Sequence, residues 1–182
     1  HAVNISGEVV DESKALVEEC FKVKTTVKNN HVKMLYIYSK PIVKFLSEYL
    51  NIPLGKKSKK VKIPEEIFCS PESVRAAFLA GLLEGDGCVG SSQIRFFTSS
   101  KELAKQTGML LFSLGIPVKI KRYNVYVVQP FGGYETFKAF YEKIGKYVTL
   151  IEKRIKLEKL LEKKKFISSI IWPIKEKLKE IR

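Results

Sequence analysis

Two carboxylates stand where a helix is ill suited to hold them. Leu79-Ala80-Gly81-Leu82-Leu83-Glu84-Gly85-Asp86-Gly87 closes an apolar, alanine-rich run of good helix formers that starts at Ser73. Gly85 and Gly87 are residues with which helices stop, so the pattern predicts a helix ending at Leu83. A helix C-terminus carries partial negative charge and favours Lys or Arg. Here it meets Glu84 and Asp86 instead. The chemistry open to such a pair is to receive something positive.

The rest of the chain leans the other way. Among 182 residues, 33 Lys+Arg against 19 Asp+Glu leave a net charge of +14. Such a field favours polyanions, nucleic acid before an anionic membrane surface. A composition rich in Lys, Glu and Ile looks thermophilic, but ion-pair networks need near-balanced charge, which is not present. The longest apolar run, Ala76 to Leu83, is far too short to span a bilayer, so no membrane partner is expected. Cys20, Cys69 and Cys88 lack disulfide or zinc spacing, and no secretory leader is visible, so the expected location is intracellular, that is, cytoplasmic.

The elements that must position the acids form a repeat. Val3–Ser6 alternates like a strand, and a helix follows from Asp11 to Phe21 with Leu16, Val17, Cys20 and Phe21 as its apolar face. Strands are predicted over 23–27 and 32–38 around an Asn29-Asn30 turn. A helix then runs from Pro41 to Leu50 with Ile42, Phe45, Leu46 and Tyr49 inward. From Gln93 the same order returns: a strand, a serine-capped helix, a strand pair turning near Tyr123-Asn124, and a helix closed by Gly145. Residues 12–18 and 99–105 answer one another. Between the copies, 55–67 carries Lys56, Lys57, Lys59, Lys60 and Lys62 and reads as a basic linker suited to phosphate contact. Further helices are expected over 150–166 and after Pro173.

The nonapeptide 79–87, with its apolar helix and the strand hairpin starting at Cys88-Val89, resembles the motif that names the LAGLIDADG homing endonucleases, with an archaeal, intein- or intron-type look. The resemblance implies an α/β (α+β) fold of pseudo-repeated αββαββα half-domains with antiparallel, saddle-shaped sheets. It divides the chain into an incomplete first half (1–54), a basic linker (55–70), a complete second half (71–147) and a C-terminal helical extension (148–182). Two motif helices would pack side by side, Gly81 and Gly85 allowing close approach beside Leu79 and Leu82. Asp86, with the Gly85 carbonyl, would hold Mg²⁺ (or Mn²⁺), and Glu84 would be more structural than catalytic. Lys40, before Pro41, matches the lysine that lines the family's active centre, and Gln129-Pro130 stands in its place in the second copy. Because the sequence begins at His1, the first motif helix is expected to be missing. The chain is then a fragment, a partner for a second chain through its motif helix, or a protein that has lost cleavage.

Duplex DNA is the expected partner. Period-2 spacing puts Lys119, Lys121 and Tyr123 on one strand face, and Gln93, Arg95, Arg122 and Gln129 are further candidates to reach base edges from β-ribbons in the major groove. His31 reads as a turn residue. The leading expectation is a metal-dependent, sequence-specific double-stranded DNA endonuclease. A derived nucleic-acid-binding protein without cleavage, either a DNA-binding regulator or an RNA maturase, is the alternative.

Overall fold

The structure, a computed structural model, describes residues 3–7, 9–29, 31–55 and 58–162. Strands β1 (Val3–Ser6), β2 (Thr26–Asn29) and β3 (Lys33–Ile37) form an antiparallel sheet in the order β1-β3-β2. Helix α1 (Val10–Phe21) ends on Lys22 in the left-handed region, at φ 52°. Helix α2 (Lys40–Lys44) starts on Ser39, whose hydroxyl accepts from the Ile42 N–H, and has Pro41 in its first turn. A π-helical turn, Phe45–Tyr49, continues it.

The burial expected of this region is observed only in part. Val10, Leu35, Ile37, Ile42 and Val43 are buried, but Leu16 is 56% and Tyr49 60% exposed, and Cys20, Phe21 and Phe45 also face solvent. Phe45 instead stacks on Tyr49 at 5.4 Å and meets Phe21 edge-on at 6.1 Å. Periodicity tells which face of a helix can be covered, not whether a neighbour covers it.

The second sheet holds β4 (Gly87–Val89), β5 (Ile94–Thr98), β6 (Val118–Arg122) and β7 (Tyr126–Pro130), antiparallel, in the order β4-β5-β7-β6. Around it lie α3 (Glu65–Phe68), α4 (Glu72–Asp86), α5 (Lys101–Ser113), α6 (Tyr134–Lys143), a 3-10 turn at Gly145–Tyr147 and α7 (Ile151–Glu162). One core joins them. Ala76, Leu79, Ala80 and Leu83 of α4 pack with Ile94, Phe96, Leu110, Val128, Phe140 and, from α7, Leu157 and Leu160. Each fully buried leucine contributes about 1.5–3 kcal/mol relative to exposure. The Ser100 hydroxyl caps α5 by accepting from the Leu103 N–H at 3.1 Å. Gly108 lets α5 lie close on β6: a Cβ there would be 3.2 Å from Ile120 Cδ1.

Two expected boundaries move. Helix α4 runs through Gly85 to Asp86, and Gly87, in extended conformation, ends it with its N–H bonded to the Leu83 carbonyl. The expected linker is also less of a connector than its charge suggests. Ser100 Oγ donates to the Val61 carbonyl at 2.6 Å, the Ile63 N–H donates to Gln106 Oε1 at 2.7 Å, and Ile63 is fully buried. Its lysines hide an apolar alternation that belongs to the second core. Lys56 and Lys57, and the helix expected after Pro173, lie outside the described residues.

Candidate active site

The puzzle of the misplaced acids resolves between two helix ends. The C-terminus of α4 meets the N-terminus of α7, and each end carries the charge that suits the other. Glu84 Oε1 accepts from Thr149 Oγ1 at 3.0 Å, from the Leu150 N–H at 2.8 Å and from the Thr149 N–H. It thereby satisfies donors that α7 leaves open at its start. In return, Lys153 Nζ donates to the carbonyls of Leu83 at 2.8 Å, Glu84 at 2.7 Å and Gly87 at 3.0 Å. An ammonium thus covers the negative end of α4, and the helix continues past its glycine.

Asp86 is left over. Its carboxylate is exposed and takes no hydrogen bond or ion pair among the described residues. It lines a groove of about 510 Å³ with Leu82, Phe97, Thr98, Ser99, Val125 and, from the basic segment, Ser58. The three Lys153 bonds fall on Leu83 and Glu84 before Gly85 and on Gly87 after Asp86. Among the described residues no cluster of three or more His, Cys, Asp or Glu is placed to hold a metal. Gly81 and Gly85 lie on an exposed stripe of α4, with no atom within 4 Å of a Cβ built on either. Leu79 is fully buried and Leu82 half-buried.

The strands bring most of the expected DNA contacts onto one face. Directly opposed residues share a face, and the register pairs Cys88 with Arg95, Phe97 with Val127, Lys121 with Val127 and Lys119 with Gln129. Phe96, Val128 and Ile120 pair on the opposite face, toward the helices. Arg95, Lys119, Lys121 and Gln129 therefore look away from the core. Gln93 joins them through a 3.2 Å hydrogen bond from Gln129 Nε2, and Tyr123 sits exposed in the turn beyond. Arg95 lies over the Phe97 ring at 5.5 Å.

Arg122 stands apart from this face. Its partner is Tyr126, so its register places it on the helix side, over the Tyr126 ring at 5.6 Å. Lys59 and Lys60 are exposed and Lys62 half-buried. His31 is an exposed turn residue, as expected. Lys40 opens α2, exposed, and is not among the residues lining the Asp86 groove.

Thr149 and Lys153 escape sequence reasoning, since each partners a residue more than sixty positions away. One signal was present: Lys153 and Arg154 follow Glu152 near the start of α7, where positive charge is as ill placed as Glu84 is at the end of α4.

The chain resembles known proteins in sequence and in fold. Residues 73–145 fit the family model of the LAGLIDADG-like domain. The chain is 35% identical over 155 residues to a DNA polymerase of Thermococcus hydrothermalis, covering 78% of this chain and 8% of that protein. It is 33% identical over 116 residues to one component of the A-type ATP synthase of Pyrococcus abyssi, covering 62% of this chain and 11% of that protein. With the replication factor C small subunit of Methanocaldococcus jannaschii the identity is 31% over 156 residues, 81% of this chain and 8% of that protein. The chain thus spans about a tenth of the length of these curated relatives.

Among solved structures, I-DmoI in complex with DNA and Ca superposes with a TM-score of 0.60 at 17% identity, covering 86% of this chain and 81% of that one. I-DmoI with DNA and Mn gives 0.57 at 18%, covering 81% and 80%. The N-terminal LAGLIDADG domain of WhiA gives 0.50 at 13%, covering 84% and 74%. At these identities the likeness speaks for the fold. No helix among the described residues is long and apolar enough to cross a membrane. With its nonapeptide on a buried helix and the order αββαββα running from α4 to α6, the segment 73–145 is a LAGLIDADG-like domain, and the chain has the homing-endonuclease fold.

Proposed function

We propose that this chain is the DNA-cleaving module of a homing-type endonuclease, which hydrolyses phosphodiester bonds of a specific duplex site with Mg²⁺ or Mn²⁺. The observation that carries this reading is the division of labour at the end of α4. Glu84 and Lys153 are committed to each other's helices, so Asp86 is the one uncommitted carboxylate among the described residues there, beside a basic sheet face. Its oxygen, with the Gly85 carbonyl, makes a small hard donor set, which suits a Mg²⁺ that keeps its other positions for water and substrate phosphate. The chemistry a divalent cation supplies when bound there is neutralisation of phosphate charge and activation of water. The chain's own part is to hold the ligand oxygens still and to seat the duplex. Arg95, Lys119 and Lys121 would meet phosphates or base edges, and Gln93 and Gln129 offer amides for base readout.

The relatives support a mobile module. A DNA polymerase, an ATP synthase component and a replication factor share no activity by name, yet each matches this chain over about a tenth of its length. A common inserted element, of the intein or intron kind, accounts for that pattern. Its location is inside the cell, where such hosts work.

Cleavage of a randomised duplex library in Mg²⁺ or Mn²⁺, compared between wild type and Asp86→Asn, tests the reading. Several kcal/mol of charge stabilisation rest on the site, so Asp86→Asn is expected to lower the rate by at least about 10³-fold while duplex binding persists. An Asp86→Asn chain that still cuts places the chemistry elsewhere. A wild-type chain that binds the library and never cuts it establishes instead the second reading, DNA binding without cleavage. The lone uncommitted acid favours that reading if no second one joins it.

A further inference from the structure

Asp86 stands between two glycines, the residues with the most backbone freedom to lose. A metal-ligating carboxylate so flanked needs its direction fixed from outside. We propose that Lys153 is a positioning residue for Asp86, an inference that rests on the metal-dependent reading above. Its ammonium reaches two carbonyls before Asp86, those of Leu83 and Glu84, and one after it, that of Gly87, all within 3.0 Å. The backbone on both sides of Asp86 is thereby tied to one point, while Gly85 and Asp86 themselves stay exposed. Glu84 completes the device by fastening the start of α7, the helix that carries Lys153.

The packing behind it is unforgiving. A Cβ at Gly87 would lie 2.5 Å from the Leu83 carbonyl oxygen, so the chain after Asp86 runs hard against the last helical turn. Lys153 also lies beyond residues 73–145, the segment that matches the family domain. The geometry of the family's acid is thus set here by a helix outside the matched segment. A compact ammonium suits three converging carbonyls, whereas the planar fork of arginine does not.

Two explanations for Lys153 predict opposite signs. Removing a positive charge close to a cation site tightens the metal by Coulomb's law. Removing a group that orients metal ligands loosens it, by about 10- to 100-fold. Mn²⁺ binding to the protein–duplex complex, followed by electron paramagnetic resonance well below the melting temperature, reads this without cleavage. Asp86→Asn supplies the background of Mn²⁺ on DNA. The half-saturating Mn²⁺ concentration of Lys153→Met is expected to rise at least about tenfold, with duplex affinity unchanged and Lys153→Arg restoring it only in part.

An unchanged or lower half-saturation in Lys153→Met, where Asp86→Asn abolishes specific Mn²⁺ binding, overturns the inference alone. An Asp86→Asn complex that titrates like wild type overturns the metal reading and the inference with it. If Lys153→Met melts below the working temperature, Lys153→Gln is read by the same criteria.

Discussion

Residues 3–54 and 58–162 follow the same grammar of strand, helix, strand pair and helix, yet they fold to different depths. The second unit buries α4 along its length, from Ala76 to Leu83, and closes a core that reaches from Ile63 to Leu160. The first keeps Leu16, Phe21, Phe45, Tyr49 and Leu54 exposed around a three-stranded sheet. The visible difference is one element. Among the described residues, no helix as long and apolar as α4 lies over the first sheet. The motif helix is therefore the centre of its unit as well as the carrier of an acid, and a repeat in element order is not a repeat in burial.

Replacing the same residue type in the two units strikes hardest at this contrast. Leu83→Ala removes a fully buried side chain and is expected to cost about 2–5 kcal/mol. Leu16→Ala, at a position 56% exposed, is expected to stay within about 0.5 kcal/mol. Urea unfolding of both variants measures the difference, and equal costs would mean that α1 has a hidden partner.

The next effect concerns the segment that joins the units. Changing Lys59, Lys60 and Lys62 together to Ala should flatten the salt dependence of duplex binding. The slope of log affinity against log salt would fall by about 0.9 for each phosphate no longer neutralised, hence by up to about 2.7. An unaltered slope assigns these lysines to solvent.

The smallest effect is a pH dependence in the first unit. Glu18 accepts from Thr25 Oγ1 at 2.6 Å and from the Thr25 N–H at 3.0 Å, and these bonds, the hydroxyl's first, hold its carboxyl below the ordinary value of 4.5. A depressed acid stabilises the fold above its unfolded value, and that contribution disappears as pH falls through the folded one. Melting between pH 5 and pH 3 should therefore fall slightly more steeply in wild type than in Glu18→Gln. Identical profiles would deny the bond a role.

The element order, the Ser100 cap and the hairpin after Asp86 were all legible in the sequence, because each depends on neighbours within a few positions. What was not legible depended on distant partners. Gly85 signalled a helix end from local propensity, but an ammonium from α7 outweighs that signal and carries the helix to Asp86. Phe45 and Tyr49 had helical apolar spacing with nothing on it to say that they would stack on each other at the surface. Arg122 has the charge of its neighbours Lys119 and Lys121, but the register pairs it with Tyr126 on the other face. Lys62 and Ile63 are adjacent, yet charge drew the eye to the first while the second anchors the segment.

That anchorage sets a leash. Ile52 is held by the Leu46 carbonyl, and Val61 by Ser100. About nine residue steps separate the two fastenings, so even a fully extended chain spans only about 30 Å. That length of chain bounds how far apart the two fastenings can stand, and each residue inserted between Ile52 and Val61 would raise the bound by about 3.3 Å.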